Sequence, residues 1–384
     1  MNILLVTPDC PYPPQKSGGI HTVFNLVKSN TKYDIDLIYY GDEDAEACSE
    51  LERLDIFNSV SYVPAKRREG VLGRMASILR RKPYAQYRFD FSNFSKLADY
   101  DLVVFDQFAS EPLAQKDLAK RQICFVLDSM PRYFERKSAV SGGFVSSLYY
   151  RLQSSFAKKE EDRTIGHIEK LVFVSEEDAS YSANLYHEKH KCRAIAMGVD
   201  STEGVSPLDL GKSIVFTGVM DYAPNEDAAL FFLKDVFPYV RKQYPDVTLY
   251  LVGKNPTERL TAACQTQDEV VLTGFVESVI AYILGATVYV SPLRFGTGVK
   301  NKVLEAMSCR APMVLSGVSA EGIPECKPDV NCLMADTAED WIKQTCRLLE
   351  DGAERERLVR GVEATFGTNR SWADALDTLV QPLD

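Results

Sequence analysis

The segment VYVSPLRFGTGVKNKVLEAMSCRAPMVLS, residues 288–316, passes from a buried apolar strand through a glycine loop into a helical run, then into a second apolar strand. That order is the strand–helix–strand unit of a parallel sheet. Gly296 and Gly298 can take positive φ and let a ligand approach the backbone. The helix, expected from about Val299, aims unpaired N–H groups and a partial positive charge at the loop. Lys300 in its first turn adds a full charge, and Arg294 reaches in from the strand end. Lys302 and Glu305, three apart, share a face, while Val299, Val303 and Met307 line the buried side. The group reads as a diphosphate site with a carboxylate placed to accept hydrogen bonds from ribose hydroxyls. The competing reading is a glycine-softened helix start with a Lys302–Glu305 pair on the surface.

The same alternation extends along the chain. Apolar runs at 2–7, 36–40, 101–106, 123–128, 171–175 and 194–197 are expected strands of a first sheet. Runs at 213–218, 247–253, 270–274, 287–292 and 312–316 are those of a second. Helical patterns lie between them, at 19–30, 144–164, 226–243, 299–309 and 337–350. Strands apolar throughout, with helices between, specify parallel sheets covered on both faces. The pattern restarts near 213 after GVDSTEGVSPLDLGKS, the best linker candidate. The fold class is therefore α/β, with two doubly wound Rossmann-like domains, at 1–205 and 206–365, whose strand ends are expected to face each other across a cleft.

Bulk composition agrees. At 384 residues the chain is too long for one core. No stretch approaches the roughly 20 apolar residues of a membrane span, and MNILLVTPDC reads as a first strand rather than a signal peptide. Nine cysteines scattered singly fit reduced thiols in the cytosol. The net charge of −10 lies almost wholly beyond residue 200, which argues against a nucleic-acid partner and makes Arg294, Lys300 and Lys302 stand out. Residues 65–88 break the balance, with eight Lys and Arg against one acid. Val71, Leu72, Met75, Ile78 and Leu79 recur there near helical spacing. Either this is a solvated helix packing its apolar face on its own domain, or it docks on an anionic membrane surface or captures an anionic acceptor.

SPLRFGTGVKNKVLEAMSCRAPMVLS resembles the donor-binding segment of the retaining GT-B glycosyltransferases of family 4, the glycosyl transferases group 1. VFTGVMDYAPNEDAALFFLKDVFPYV, LYLVGKNP and VVLTGFVESVIAYILGATVYVSPL are similar to that family too, as are MNILLVTPDCPYPPQKSGGIHTVFNLVKS, FVSEEDASYSANLY and MGVD. The resemblance runs from Met1 to about Leu349, and its specific part is 294–316. It implies a nucleotide-sugar donor bound by the second domain, a glycan, glycolipid or protein acceptor at the first, and no resident cofactor or metal. It also implies that a terminal segment, 366–384, returns to the first domain as a helix. Matched by position, Gly18 and Gly19 form a loop toward the leaving phosphate, Glu305 binds the ribose, and Lys302 is the lysine three residues before it. Phe275 and Val276 meet the base, and the loop around Gly218 lines the pocket. Two departures stand out. Thr297 occupies the place of the first glutamate of the E-x7-E pattern, and VMDYAPNED lacks the Arg and Lys that often clamp the diphosphate after Gly218. Arg294 and Lys300 are expected to supply that charge.

For catalysis, Asp128 stands after ICFVL where the family often has a histidine. It either orients or deprotonates an acceptor hydroxyl or caps the next helix. Asp106 sits likewise after LVVF. His21, two residues past the glycine pair, either faces the acceptor or is a plain helix-face histidine. His187, His190 and Cys192 lack the spacing of a metal site. The expected activity is retaining sugar transfer, in surface-polysaccharide or glycoconjugate assembly, in the cytoplasm or at the inner membrane face. A sugar-nucleotide epimerase and a catalytically silent nucleotide-sugar-binding protein are the alternatives.

Overall fold

The computed structural model describes residues 1–14, 18–40, 45–63, 70–87, 100–110, 113–114, 119–141, 143–267, 269–296, 298–366 and 370–383. The chain divides into two compact units, Met1–Gly198 with Arg370–Asp384, and Val199–Asn369. Each carries one parallel sheet with helices between its strands.

In the first unit the strands are β1 (Asn2–Thr7), β2 (Asp34–Tyr40), β3 (Ser59–Val63), β4 (Leu102–Asp106), β5 (Gln122–Val126), β6 (Lys170–Phe173) and β7 (Cys192–Ala194). Their order is β3-β2-β1-β4-β5-β6-β7, with Leu5 of β1 opposite both Leu37 and Val104. β4 and β5 are buried at every residue, which is why they read as unbroken apolar runs. Phe105, Val126 and Phe173 pack from the sheet toward Ala157 and Ile165 of the Phe144–Ile165 helix.

In the second unit they are β8 (Ser213–Thr217), β9 (Thr248–Val252), β10 (Val270–Leu272), β11 (Val288–Ser291), β12 (Met313–Leu315) and β13 (Leu333–Met334), in the order β10-β9-β8-β11-β12-β13. Its core gathers Phe216, Leu251, Val290 and the fully buried Trp341, which meets Phe232 edge-on at 6.0 Å. Both sheets reverse strand order once, between β1 and β4 and between β8 and β11. Open α/β sheets bind ligands at the carboxyl ends of strands flanking such a point.

The expected strand set lacked β3 and β13. β3 is an edge strand with largely exposed side chains, and β13 has only two residues, so neither is an apolar run. The run at 194–197 is no strand; β7 ends at Ala194, and the buried Met197 leads into the link between units.

The Trp372–Val380 helix belongs to the first unit. Ser371 caps it, accepting from the amides of Ala373 and Asp374. Asp377 takes the Lys32 ammonium and the Tyr33 hydroxyl, the latter at 2.9 Å. Lys170, whose pKa burial lowers to about 8, donates to the carbonyls of Thr378 (3.3 Å) and Gln381 (2.5 Å). Trp372 lies flat against Gly198, where a Cβ would come within 2.5 Å of the indole and of the Trp372 amide. Gly198→Ala should therefore cost about 1–3 kcal/mol in urea unfolding, the usual range for overpacking. A loss below about 0.5 kcal/mol would show that the helix shifts freely instead.

Candidate functional site

Three strands of the second sheet end in glycine: Gly218 after β8, Gly253 after β9 and Gly274 just past β10. The Gly218 amide donates to the Val252 carbonyl (3.0 Å), and Gly253 forms an antiparallel bridge with Gly274. Gly253 has φ +150, and a Cβ there would lie 1.7 Å from the Gly218 oxygen. A Cβ on Gly218 would lie 2.6 Å from Asn225 Nδ2 and 2.8 Å from Lys302 Nζ. Side chains are thus excluded here by close approach of backbone and two polar groups.

Lys302 comes from the first turn of the Asn301–Ser308 helix, which follows β11. Its Nζ donates to Asn225 Oδ1 at 2.5 Å and sits 4.4 Å over the Phe216 ring. Asn225 is buried in the first turn of the Ala223–Phe231 helix and is fixed by donating Nδ2 to the Val219 carbonyl (2.9 Å). Lys302 and Glu305 are therefore no surface pair. Neither is wholly shut off from solvent, yet burial is the leading cause of both pKa shifts. It brings Lys302 down to about 7, with Glu305 opposing and Lys300 assisting. It lifts Glu305 to about 7, with Asp200 assisting and Lys302 opposing.

The loop between β11 and this helix carries Gly296 at φ +144 and Gly298 at φ +68, both in the region that favours glycine. Thr297 lies outside the described residues. The helix begins at Asn301, so Lys300 is its N-cap rather than a first-turn residue. Lys300 is buried, and its Nζ donates to the Gly298 carbonyl at 2.5 Å, tying the loop shut. Arg294 is exposed, as a reaching cation would be, but it already has a partner. Its Nε and Nη2 engage both carboxylate oxygens of Asp227, at 2.7 and 2.5 Å, and its guanidinium stacks on Phe231 at 5.1 Å. The charge expected to meet an anion is offset there by a carboxylate. Phe275, directly after Gly274, is 64% exposed, and Val276 is half-buried.

In the first unit Gly18 and Gly19 open the Gly18–Lys28 helix that follows β1. A Cβ on Gly18 would meet nothing within 4 Å, whereas one on Gly19 would lie 2.9 Å from Gln107 Nε2 and 3.1 Å from Leu127 Cδ1. Gln107 follows β4 with φ 62, and Leu127 precedes Asp128, so the glycine pair, the β4 end and the β5 end meet at this sheet's reversal point. Asp128 is half-buried and does not cap the next helix; the N-cap is Ser129. Asp106 is fully buried, its Oδ1 has no partner among the described residues, and burial pushes its pKa well up, with Gln107 opposing. His21 shares a hydrogen bond of 2.7 Å between Nε2 and Asn25 Nδ2, and its ring lies 6.2 Å from that of Trp372. His187 is a helix C-cap, His190 pairs with Glu188, and Cys192 is buried in β7.

The sequence reading omitted Phe216, Asn225, Gly253 and Gly274. A signal existed for the two glycines, since VFTG, LYLVG and VVLTG each close an apolar run with glycine. Asn225 gave none, because its partner stands 77 positions away.

Comparison with known proteins bears on the unit that holds Lys302. Residues 211–351 match the glycosyl transferases group 1 family. This group 1 segment begins just ahead of β8 and contains every second-unit residue discussed above except Asp200. An uncharacterized 44.6 kDa protein in the cps region of Klebsiella pneumoniae is 24% identical over 333 residues, 83% of this chain and 84% of that protein. Among solved structures, HepE of Anabaena in complex with UDP and glucose superposes with a TM-score of 0.68 at 13% identity, over 99% of this chain and 98% of that one. Sucrose-phosphate synthase of Thermosynechococcus elongatus gives 0.68 at 15%, over 99% and 97%. TarM of S. aureus, crystallised with fondaparinux, α-GlcNAc-glycerol and UDP, gives 0.68 at 9%, over 98% of both chains. The shared fold is GT-B.

The two shifted groups leave a mark on stability. Between about 7 and 10.5 the unfolded chain holds the Lys302 proton and the folded one does not, so this residue makes stability rise with pH. Between 4.5 and about 7 the folded chain holds the Glu305 proton and the unfolded one does not, so stability falls as pH rises. Together they place a stability minimum near pH 7. Lys302→Met should remove the rise above it and Glu305→Gln the fall below it, read as variant-minus-parent melting temperature across pH. Parallel profiles for parent and double variant would contradict the assignment.

Proposed function

We propose that the protein is a glycosyltransferase moving a sugar from a nucleotide-sugar donor to a hydroxyl acceptor with retention at the anomeric carbon. The observation that carries the proposal is the Lys302–Asn225 pair beneath Gly218, at the reversal point of a sheet whose segment matches group 1 glycosyl transferases. In the proposed reaction the bond from anomeric carbon to leaving diphosphate oxygen breaks, and the bond to the acceptor oxygen forms on the same sugar face. The acceptor proton passes to the leaving phosphate. The protein's part is then to stabilise charge on that phosphate. An arriving diphosphate favours the charged form of Lys302, which is held near its pKa without it, so binding draws a proton into the site. Glu305 accepts from the ribose, and Phe275 and Val276 take the base. Lys300, with the backbone of Gly296 and Gly298, frames the phosphates, and Thr297 stands in sequence between them, leaving no step that needs a metal or cofactor. Gly18 and Gly19 are assigned to the leaving group, and Asp128 and His21 to the acceptor.

The UDP complexes of HepE and TarM support a uridine nucleotide as the ligand. The cps region of the Klebsiella relative supports a role in surface-polysaccharide or glycoconjugate assembly, on a glycan, glycolipid or protein acceptor. Nine free thiols support a cytoplasmic setting. A catalytically silent nucleotide-sugar-binding protein is the second reading, favoured by the Arg294–Asp227 pairing.

Calorimetric titration with UDP tests the site. Lys302→Met should weaken binding at least about tenfold, the loss of roughly one charge-assisted hydrogen bond. It should also abolish the proton uptake that buffers of different ionisation enthalpy reveal at pH 8. Equal affinity in parent and variant would sink the assignment. Incubation with a panel of nucleotide sugars then separates the readings: sugar release or transfer supports the transferase, isomerised donor an epimerase, and binding without turnover the silent protein.

A further inference from the structure

We propose that two helices of the first unit form a docking surface for an anionic membrane. This goes beyond the sugar-transfer reading and does not depend on it. The Gly70–Arg80 helix is packed with its apolar side outward. Its buried residues are Gly73 and Ser77, while Val71 is 72%, Leu72 81% and Leu79 83% exposed. The alternative that this helix packs its apolar face on its own domain is thus largely reversed: Gly73 and Ser77 face inward, Ile78 is half-buried, and Val71, Leu72, Met75 and Leu79 face water.

A second helix of this unit also exposes large apolar side chains. Phe144 and Val145, in the first turn of the Phe144–Ile165 helix, are 84% and 79% exposed. The two helices are joined through Gln153, which donates Nε2 to Ser77 Oγ (3.5 Å) and accepts at Oε1 from the Tyr84 amide (2.7 Å). Ser77 and Gln153 are both fully buried, so the helix pair has an interior, and its apolar outer residues are not part of it.

Charge selects the occupant. Residues 70–87 carry Arg74, Arg80, Arg81 and Lys82 and no acid, and the long helix has no acid before Glu160. This is a cationic, apolar surface on a chain of net charge −10. A second copy docking here would bring like charges together, whereas anionic headgroups neutralise the cations as the aliphatic side chains enter the acyl boundary. The remaining acidic surface is repelled by the same headgroups, so the patch also fixes which side meets the bilayer.

Flotation with extruded vesicles tests the proposal, comparing phosphatidylcholine alone with phosphatidylcholine containing phosphatidylglycerol. The parent should float with the anionic vesicles only, and less so in high salt. Leu72→Glu with Leu79→Glu, and separately Phe144→Ser with Val145→Ser, should each lower the recovered fraction by about fivefold or more. Because all four side chains are exposed, circular-dichroism melts should match the parent, which separates lost docking from lost folding. No flotation of the parent, equal recovery on neutral vesicles, or unchanged recovery of both variants would each overturn it. Concentration-dependent self-association of the parent, abolished in the variants without any flotation, would assign the surface to a second copy instead.

Discussion

One half-buried ammonium organises the second unit. Lys302 enters at the point where strand order reverses, and a lysine head group held there partly out of water needs a partner or loses its proton more readily. Asn225 supplies an acceptor and Phe216 a ring face, while Glu305, whose charge favours the ammonium, is itself pushed toward its acid form. The glycines follow from this. Gly218 leaves room for the ammonium and the amide, and Gly253 leaves room for Gly218. A side chain at Gly218 would displace the polar pair and one at Gly253 would displace the Gly218 backbone, so the strand ends and the helix start are parts of one packing problem.

Much of this architecture was legible in the sequence because its signals are local. A strand buried on both faces writes itself as an unbroken apolar run, and eleven residues such as those of the Gly18–Lys28 helix carry their own periodicity. The stretch 288–316 showed its strand, loop, helix and strand in order, with boundaries off by one or two residues. What failed to show were relations between distant positions. Arg294 looked like a cation awaiting a ligand because Asp227, 67 positions earlier, announces nothing about where it will lie. Asn225 was passed over for the same reason. β3 and β13 were missed because a short or exposed strand buries too little to leave a pattern.

The Gly70–Arg80 helix is the opposite case. Its periodicity is plain in the sequence, but periodicity says only that one side differs from the other. Which side faces the protein depends on what stands opposite, and here the fully buried Gln153 meets Ser77 on the side that also buries Gly73. Asp106 makes a related point in the first unit. A carboxyl group at a strand's carboxyl end is a candidate in sequence to act on an acceptor or to cap a helix, whereas in the structure it is enclosed and burial raises its pKa.

The terminal helix sets the order in which the chain can mature. The second unit is a single continuous stretch, while the first is interrupted by it and needs Trp372 against Gly198 and Asp377 against Lys32 and Tyr33 to be whole. On the ribosome, the unit that begins earlier is therefore completed later. Val199 to Asn369 can settle as soon as it emerges, and residues 1–198 must wait, with one flank uncovered, until the Trp372–Val380 helix is translated.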